Sequence, residues 1–396
     1  MICLETQHFK LNRLLLLVIG LWPYQESKLA QIHFIVFFSI LTTFIAFQFT
    51  TFITSKCTAD LIIKVLSSAF FFICLTIKYS SFRINAKIVK LSLERLQHTC
   101  NELQNENEIA IIEKYGNIGK LYTSSVLILG IFMFFILPIW PLIFDVILPM
   151  NFSRSRPAIQ ITTEYFVNQQ NYFYLILLHT NAAIFIGGTA IIATGTMLLV
   201  YFKHICGMFN IASKRIIYSF RLETAMMINM LKNVNQEKET LIYKRLIYAI
   251  DIHRKATEYS HFLIKNFEGS FFFLIAAGTI CLSSSLVQLT SSINNFEELL
   301  PPIIIIFALY IYLLISNYTA QQVMDHNNYV FATVYNVQWY VAPLRIQKML
   351  LFMLQRGTKA FNLNLGGLFV GSLESAAMLT SASISYFTVL HSSQQH

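Results

Sequence analysis

Charge is what this chain has least of. Only 12% of its 396 residues are Asp, Glu, Lys or Arg, where a soluble domain carries about 25%. Together with a hydrophobic content of 55%, that excludes a solvated globular fold and makes lipid the solvent. Paired cysteines are also missing. Cys3, Cys57, Cys74, Cys100, Cys206 and Cys281 are scattered with no CxxC and no regular framework, so no disulfide scaffold is expected. His204 and His253 lack partners at metal-ligand spacing, which argues against a metal site. There is no GxSxG, HExxH or P-loop, so no enzyme and no cofactor are expected. The short apolar run from Leu14 to Trp22 has no small-residue cleavage site directly after it, which argues against a removable signal peptide. No internal repeat, low-complexity tract or linker divides the chain.

What is present is a series of long apolar runs. Seven are read as membrane spans: 31–53, 61–82, 121–147, 172–202, 269–291, 301–318 and 366–390. The fold class is therefore all-α, a seven-transmembrane helical membrane protein. Residues 1–30 form an N-terminus with a short membrane-dipping helix, and 31–202 carry helices one to four. Residues 203–268 are helical extensions outside the membrane, 269–318 carry helices five and six, 319–365 are further polar helices, 366–390 are helix seven, and 391–396 a short tail. Lys64 and Lys78 lie near the two ends of the second span, where their stems can snorkel. Pro138 and Pro141 bracket Trp140 near the far end of the third and predict a kink there.

Loop charge sets the orientation. Twenty-five Lys and Arg fall on the side holding the N-terminus and the loops after spans two, four and six, against Lys56, Arg154 and Arg156 on the other. The bias places the N-terminus in the cytosol. Basic residues beside hydrophobic spans read as a membrane-surface feature, so nucleic acid is not an expected partner. The sequon at Asn151 then falls outside and is a candidate glycosylation site. A G-protein-coupled receptor has the reverse orientation, and neither Asp-Arg-Tyr after span three nor Asn-Pro-x-x-Tyr in span seven is present. The chain also lacks the inverted repeats and broken-helix pairs of a secondary transporter.

The last span differs from the others. It is rich in small and hydroxylated residues, with Ser372, Ser375, Leu379, Ala382, Ser383 and Tyr386 on one stripe, and Val389 and Ser393 near its outer end. Such a stripe either packs closely on neighbours or faces water. Glu374 is an ionisable residue inside this span, a functional position by default.

Several local stretches strengthen one resemblance. They are Gly20-Leu21-Trp22-Pro23-Tyr24; Glu164-Tyr165-Phe166; Tyr172-Phe173-Tyr174 with His179; and His204-Ile205-Cys206-Gly207-Met208-Phe209 followed by Ile211-Ala212-Ser213. Later come Ala332, Tyr335, Trp339 and Tyr340, Leu350-Leu351 with Lys359, and the ending Ser385-Tyr386-Phe387-Thr388-Val389-Leu390. With the topology, these resemble the insect odorant receptor family over essentially the whole chain, with a hymenopteran-like start. A gustatory receptor, a related channel, is the alternative; its usual Thr-Tyr…Gln-Phe ending is absent.

The resemblance implies an odorant-specific tuning subunit of a tetrameric, ligand-gated, non-selective cation channel, paired with a shared co-receptor subunit in the plasma membrane of sensory dendrites. It implies that helix seven lines the pore and that Val389 forms the hydrophobic gate. Ser393 stands where a second apolar ring is common, and Ala360 replaces a common proline. Tyr386 and Glu374 are further pore candidates. The cytosolic extensions would form the subunit anchor, with Tyr335, Trp339 and Tyr340 at the interface. A volatile odorant would sit in the outer half of the bundle, with Phe70, Phe71, Phe135, Trp140, Tyr172, Phe173 and Tyr310 as wall candidates and Thr180 or His179 as a polar anchor. Permeating cations and membrane lipids complete the expected partners.

Overall fold

The computed structural model describes residues 9–25, 27–136, 161–168, 171–228, 236–292, 296–365 and 369–395. Their helices are α1 (Lys10–Val18), α2 (Lys28–Phe49), α3 (Thr51–Thr54), α4 (Ala59–Ile84), α5 (Ala86–Asn101), α6 (Glu106–Ile131), α7 (Phe173–Ile228), α8 (Gln236–Ser291), α9 (Phe296–Asn336), α10 (Leu344–Gly357) and α11 (Leu373–Gln395). Among the described residues six helical stretches are long and apolar enough to cross a membrane, those built on α2 with α3, α4, α6, α7, α8 and α9. The 23 residues of α11 are long enough, but its hydroxyls keep it out of that set.

Side-chain caps set several helix starts. Ser27 Oγ accepts from the Ala30 amide at 3.1 Å to open α2, and Thr58 Oγ1 accepts from Leu61 at 3.3 Å to open α4. Asn105 caps α6, whose first turn carries Glu106 and Glu108 toward the positive helix end. At the other end α6 passes into a π-helical turn, Phe132–Ile136. The predicted kink residues Pro138, Trp140 and Pro141 lie outside the described residues, as does Asn151.

α7 is the central helix. It packs against α1, α2, α4, α6, α8 and α9, and Ala183, Ile186, Ala190, Ala193, Met197 and Val200 along it are buried. Small residues let its neighbours come close. A Cβ on Gly188 would fall 2.8 Å from the Phe134 ring, and one on Gly187 2.5 Å from Leu75. α7 and α8 have 56 residues each, roughly 84 Å at 1.5 Å per residue and far more than a bilayer needs. The predicted extensions are thus direct continuations of the spans.

The expected membrane-dipping helix, α1, has one face on protein and another exposed, and the last helix starts later than its expected span. Leu16 and Ile19 are fully buried while Leu14 and Val18 are exposed, Asn12 Nδ2 donates to Thr196 Oγ1 of α7 at 2.9 Å, and Tyr79 Oη donates to the Ile19 carbonyl at 3.0 Å. The last helix starts at Leu373 rather than at Gly366. Asn364–Leu365 pairs antiparallel with Phe369–Val370 before it.

At the basic end the helix extensions are tied by polar contacts. Arg215 grips Glu108 with two hydrogen bonds of 2.6 and 2.7 Å. His326 Nε2 meets Tyr115 Oη at 2.7 Å, with its Nδ1 on the Gln322 carbonyl at 2.7 Å. His253 Nε2 meets Asn327 Oδ1 at 2.9 Å. A carbonyl only accepts, so Nδ1 of His326 carries the proton and the neutral tautomer fits. Burial holds both imidazoles below their ordinary range. The Asn327 bond raises and nearby Arg356 lowers His253; for His326 the Gln322 carbonyl and Asp325 raise and Lys203 lowers. Their neutral forms support the fold fully above the ordinary histidine pKa, and that support is lost as pH falls through the lowered values. Thermal unfolding of the purified chain between about pH 7.5 and 5.5 should therefore show stability falling on acidification. The loss should shrink in a His253→Asn, His326→Asn double variant.

Candidate ligand cavity and last helix

Midway along the bundle, and extending toward the basic end, α6, α7, α8, α9 and α11 enclose a cavity of about 240 Å³. Its walls are almost entirely apolar, with Leu129 from α6, Met133 and Phe134 from the π-helical turn after it, Ile191 and Phe202 from α7, Leu274 and Leu282 from α8, and Leu309 and Tyr312 from α9. Glycine makes the space. A Cβ on Gly278 would meet nothing within 4 Å, and one on Gly195 only the Tyr312 ring at 3.6 Å. Polar groups on the wall are few, among them Thr196, Thr279, Asn317, Ser375 and Ser383. Apolar walls with sparse polar points suit a small, mostly apolar ligand.

α11 closes one side. Ser375 and Ser383 are buried and line the cavity together with Leu379. Ser283 Oγ of α8 donates to the Ser383 carbonyl at 3.2 Å. The helix start is held as well: the Ser372 amide donates to Asn317 Oδ1 of α9 at 3.1 Å, and Ser372 Oγ accepts from the Ser375 amide at 3.1 Å. The opposite face of α11 is exposed. Glu374, Ser381, Ser385 and Thr388 lie on it, within about 60° of one another at 3.6 residues per turn. Of the stripe read from sequence, Ser375, Leu379 and Ser383 turn inward to pack, the two serines being small enough to let α8 and α9 come close, while Tyr386 at its far end is exposed. A second row of hydroxyls, with Glu374 at its start, is left uncovered.

One cation sits against the cavity wall. Lys78 was expected to snorkel to the surface, but it is only 7% exposed. Its Nζ lies 4.8 Å from the ring centroids of both Phe271 and Tyr312, and both rings line the cavity, as does Cys74 one turn earlier. Among the described residues it has no hydrogen-bond acceptor and no anionic partner. Two cation–π contacts supply about 0.5–2 kcal/mol each, whereas burying an ammonium costs several kcal/mol. Lys64, at the other end of α4, is satisfied: its Nζ reaches Asp60 at 3.1 Å and Glu298 at 2.7 Å.

A family profile described as 7tm Odorant receptor matches residues 58–384. The chain belongs to the odorant receptor family. The fold agrees: the insect olfactory receptor OR5 of Machilis hrabei in complex with eugenol superposes with a TM-score of 0.77 at 14% identity, over 96% of this chain and 97% of that one. The same receptor in its other structure gives 0.76 at 15% identity, with the same coverage of both chains. Among curated proteins none matches the sequence. The odorant receptor family is a receptor family and not an enzyme family, in keeping with the absence of catalytic motifs.

Among the described residues, the pocket candidates named from the sequence of this odorant receptor do not line the cavity. Phe71 is 6% exposed and stacked at 6.3 Å on Phe134, which does line the cavity. Phe70 and Phe173 are half-buried, and Tyr172 and Tyr310 are exposed. His179 belongs to another cluster. Its Nδ1 meets Tyr165 Oη at 2.7 Å and its Nε2 meets Thr43 Oγ1 at 3.2 Å, so both ring nitrogens are engaged within the chain. Trp140 and the side chain of Phe135 fall outside the described residues. On α11, Val389 and Tyr386 are 65% and 59% exposed; the side chain of Ser393 is outside the described set. Tyr335 and Tyr340 project outward, with Trp339 half-covered between them. Reasoning from aromatics passed over Gly195, Gly278, Cys74 and Tyr312. The available signal was a glycine in mid-span, which leaves a gap wherever no neighbour fills it.

Proposed function

We propose that this receptor is the odorant-binding tuning subunit of a heteromeric, odorant-gated, non-selective cation channel. Membership of the odorant receptor family supports it, as does the relative in Machilis hrabei that takes eugenol. The observation that carries it is the two-faced last helix: one face of α11 forms a wall of the apolar cavity, and the other offers Glu374 and a row of hydroxyls. On this reading seven helices span the membrane with the N-terminus in the cytosol. Four subunits, this chain among co-receptor chains, put the exposed faces of their last helices around one pore. The long extensions of α7, α8 and α9 anchor the subunits, with Tyr335, Trp339 and Tyr340 at their contacts, in the plasma membrane of a sensory dendrite.

Gating then works by population shift. A ligand that fits the cavity better in the open arrangement biases α11 toward it. The outer rings of Val389 separate and become wetted, which admits cations without a charged gate. Whole-cell recording with and without an insect co-receptor, under a volatile panel and a G-protein block, tests this directly. Fast odorant-evoked cation current that survives the block and needs the co-receptor is the expected result. Val389→Ala should raise the ligand-free leak. Current that vanishes with the block would overturn the direct channel mechanism.

A further inference from the structure

We infer that the cavity selects apolar ligands bearing a carboxylate, and that Lys78 is the group that binds the acid. The inference rests on reading the cavity as the ligand site. Three observations meet at one place. The cavity is apolar along its length, so it takes a hydrocarbon chain. Lys78, on α4, is almost fully buried, and its ammonium has three N–H donors with no acceptor among the described residues. Phe271 of α8 and Tyr312 of α9, the two rings that flank the ammonium, are themselves cavity wall.

A buried cation held only by ring faces is incompletely satisfied, and an anion reaching it from the cavity would complete it. A neutral ligand of the same shape would fill the space and leave the cation as it was. Lys78 lies behind the Phe271 and Tyr312 rings rather than in the lining itself, so discrimination between an acid and its isosteric alcohol is set by whether the acid reaches it past those two rings. The same ligand would lie against Leu379 and Ser383 of α11, so a carboxylic acid that binds here also touches the helix proposed to gate.

The test is equilibrium binding to the full-length receptor in lipid nanodiscs, with radiolabelled decanoate as the probe and 1-decanol and methyl decanoate as competitors. Lys78→Met keeps the apolar stem and removes the charge. It should weaken decanoate by about tenfold or more while changing the alcohol by less than about twofold. Lys78→Arg should retain acid binding. Gly278→Leu, which fills the cavity, should weaken acid, ester and alcohol alike. A decanoic acid carrying a diazirine should label the segments holding Cys74, Phe271 and Tyr312 in the unmodified receptor, which keeps the inference testable if the Lys78 variants fold poorly. Equal loss of acid and alcohol in Lys78→Met, unchanged acid binding, or labelling elsewhere would overturn it. Absence of odorant-evoked current with the co-receptor would sink the channel reading and leave these binding constants to decide the ligand class.

Discussion

Replacing Glu374 with lysine should cut the cation current of the assembled channel by about tenfold or more and move its reversal potential toward the anion value. Glu374 is exposed in the first turn of α11 and shares its face with Ser381, Ser385 and Thr388. No other residue of α11 carries an acidic charge. In a pore lined by this face, the carboxylate concentrates cations at the basic end of the path, and a lysine would repel them. The substitution also puts a cation at a helix N-terminus, a cost of about 0.3–1 kcal/mol, too small to unfold a receptor held by the packing around α7. Glu374→Gln removes the charge with less strain and should give an intermediate loss. Ion-substitution recordings at matched surface expression supply the measurement. An unchanged reversal potential in Glu374→Lys would place this residue away from the ion path.

Gly188→Val should largely abolish folded receptor at the cell surface. The new Cβ would fall 2.8 Å from Phe134 Cγ and 3.0 Å from its Cβ. Those are the base of the side chain, not a tip that can swing away. Phe134 is 8% exposed, and its ring is stacked on Phe71; because the clash is with its Cβ and Cγ, swinging the ring toward the cavity does not relieve it. Overpacking of this kind costs about 1–3 kcal/mol, and the branched side chain adds methyls beyond the clashing carbon. Gly195→Ala is the control. Its Cβ would meet Tyr312 at an ordinary 3.6 Å, so expression should persist. Size-exclusion profiles of detergent extracts would separate the two outcomes. A monodisperse Gly188→Val receptor would show that α6 and α7 can separate without losing the fold.

Much of the architecture is written in the chain because a bilayer demands long apolar runs. The second span, read as 61–82, is found within Ala59–Ile84, and the helical extensions read over 203–268 are found as the continuation of α7 and the first part of α8. Contacts between helices are not written there in the same way. Lys64 and Lys78 look alike in sequence, fourteen residues apart on one helix. Only the packing decides that one meets two carboxylates and the other two aromatic rings. The stripe on the last helix was legible as a pattern, but its direction was not, since small residues suit either packing or a wet face and only the structure puts Ser383 against α8. Aromatic residues were a poor guide to the cavity because they are spread throughout the chain, with 35 Phe in all. Empty space is made by what is missing, as at Gly278.

The hydroxyls of α11 also bear on how the receptor is made. A helix that carries Ser381, Ser385 and Thr388 uncovered, and buries Ser375 and Ser383 only against protein, gains little from lipid by itself. Helices α8 and α9 precede it in the chain and offer Ser283 and Asn317 as docking points. If α11 crosses the bilayer as proposed, its entry depends on partners already in place, and weakening those contacts should leave receptors whose last segment fails to insert.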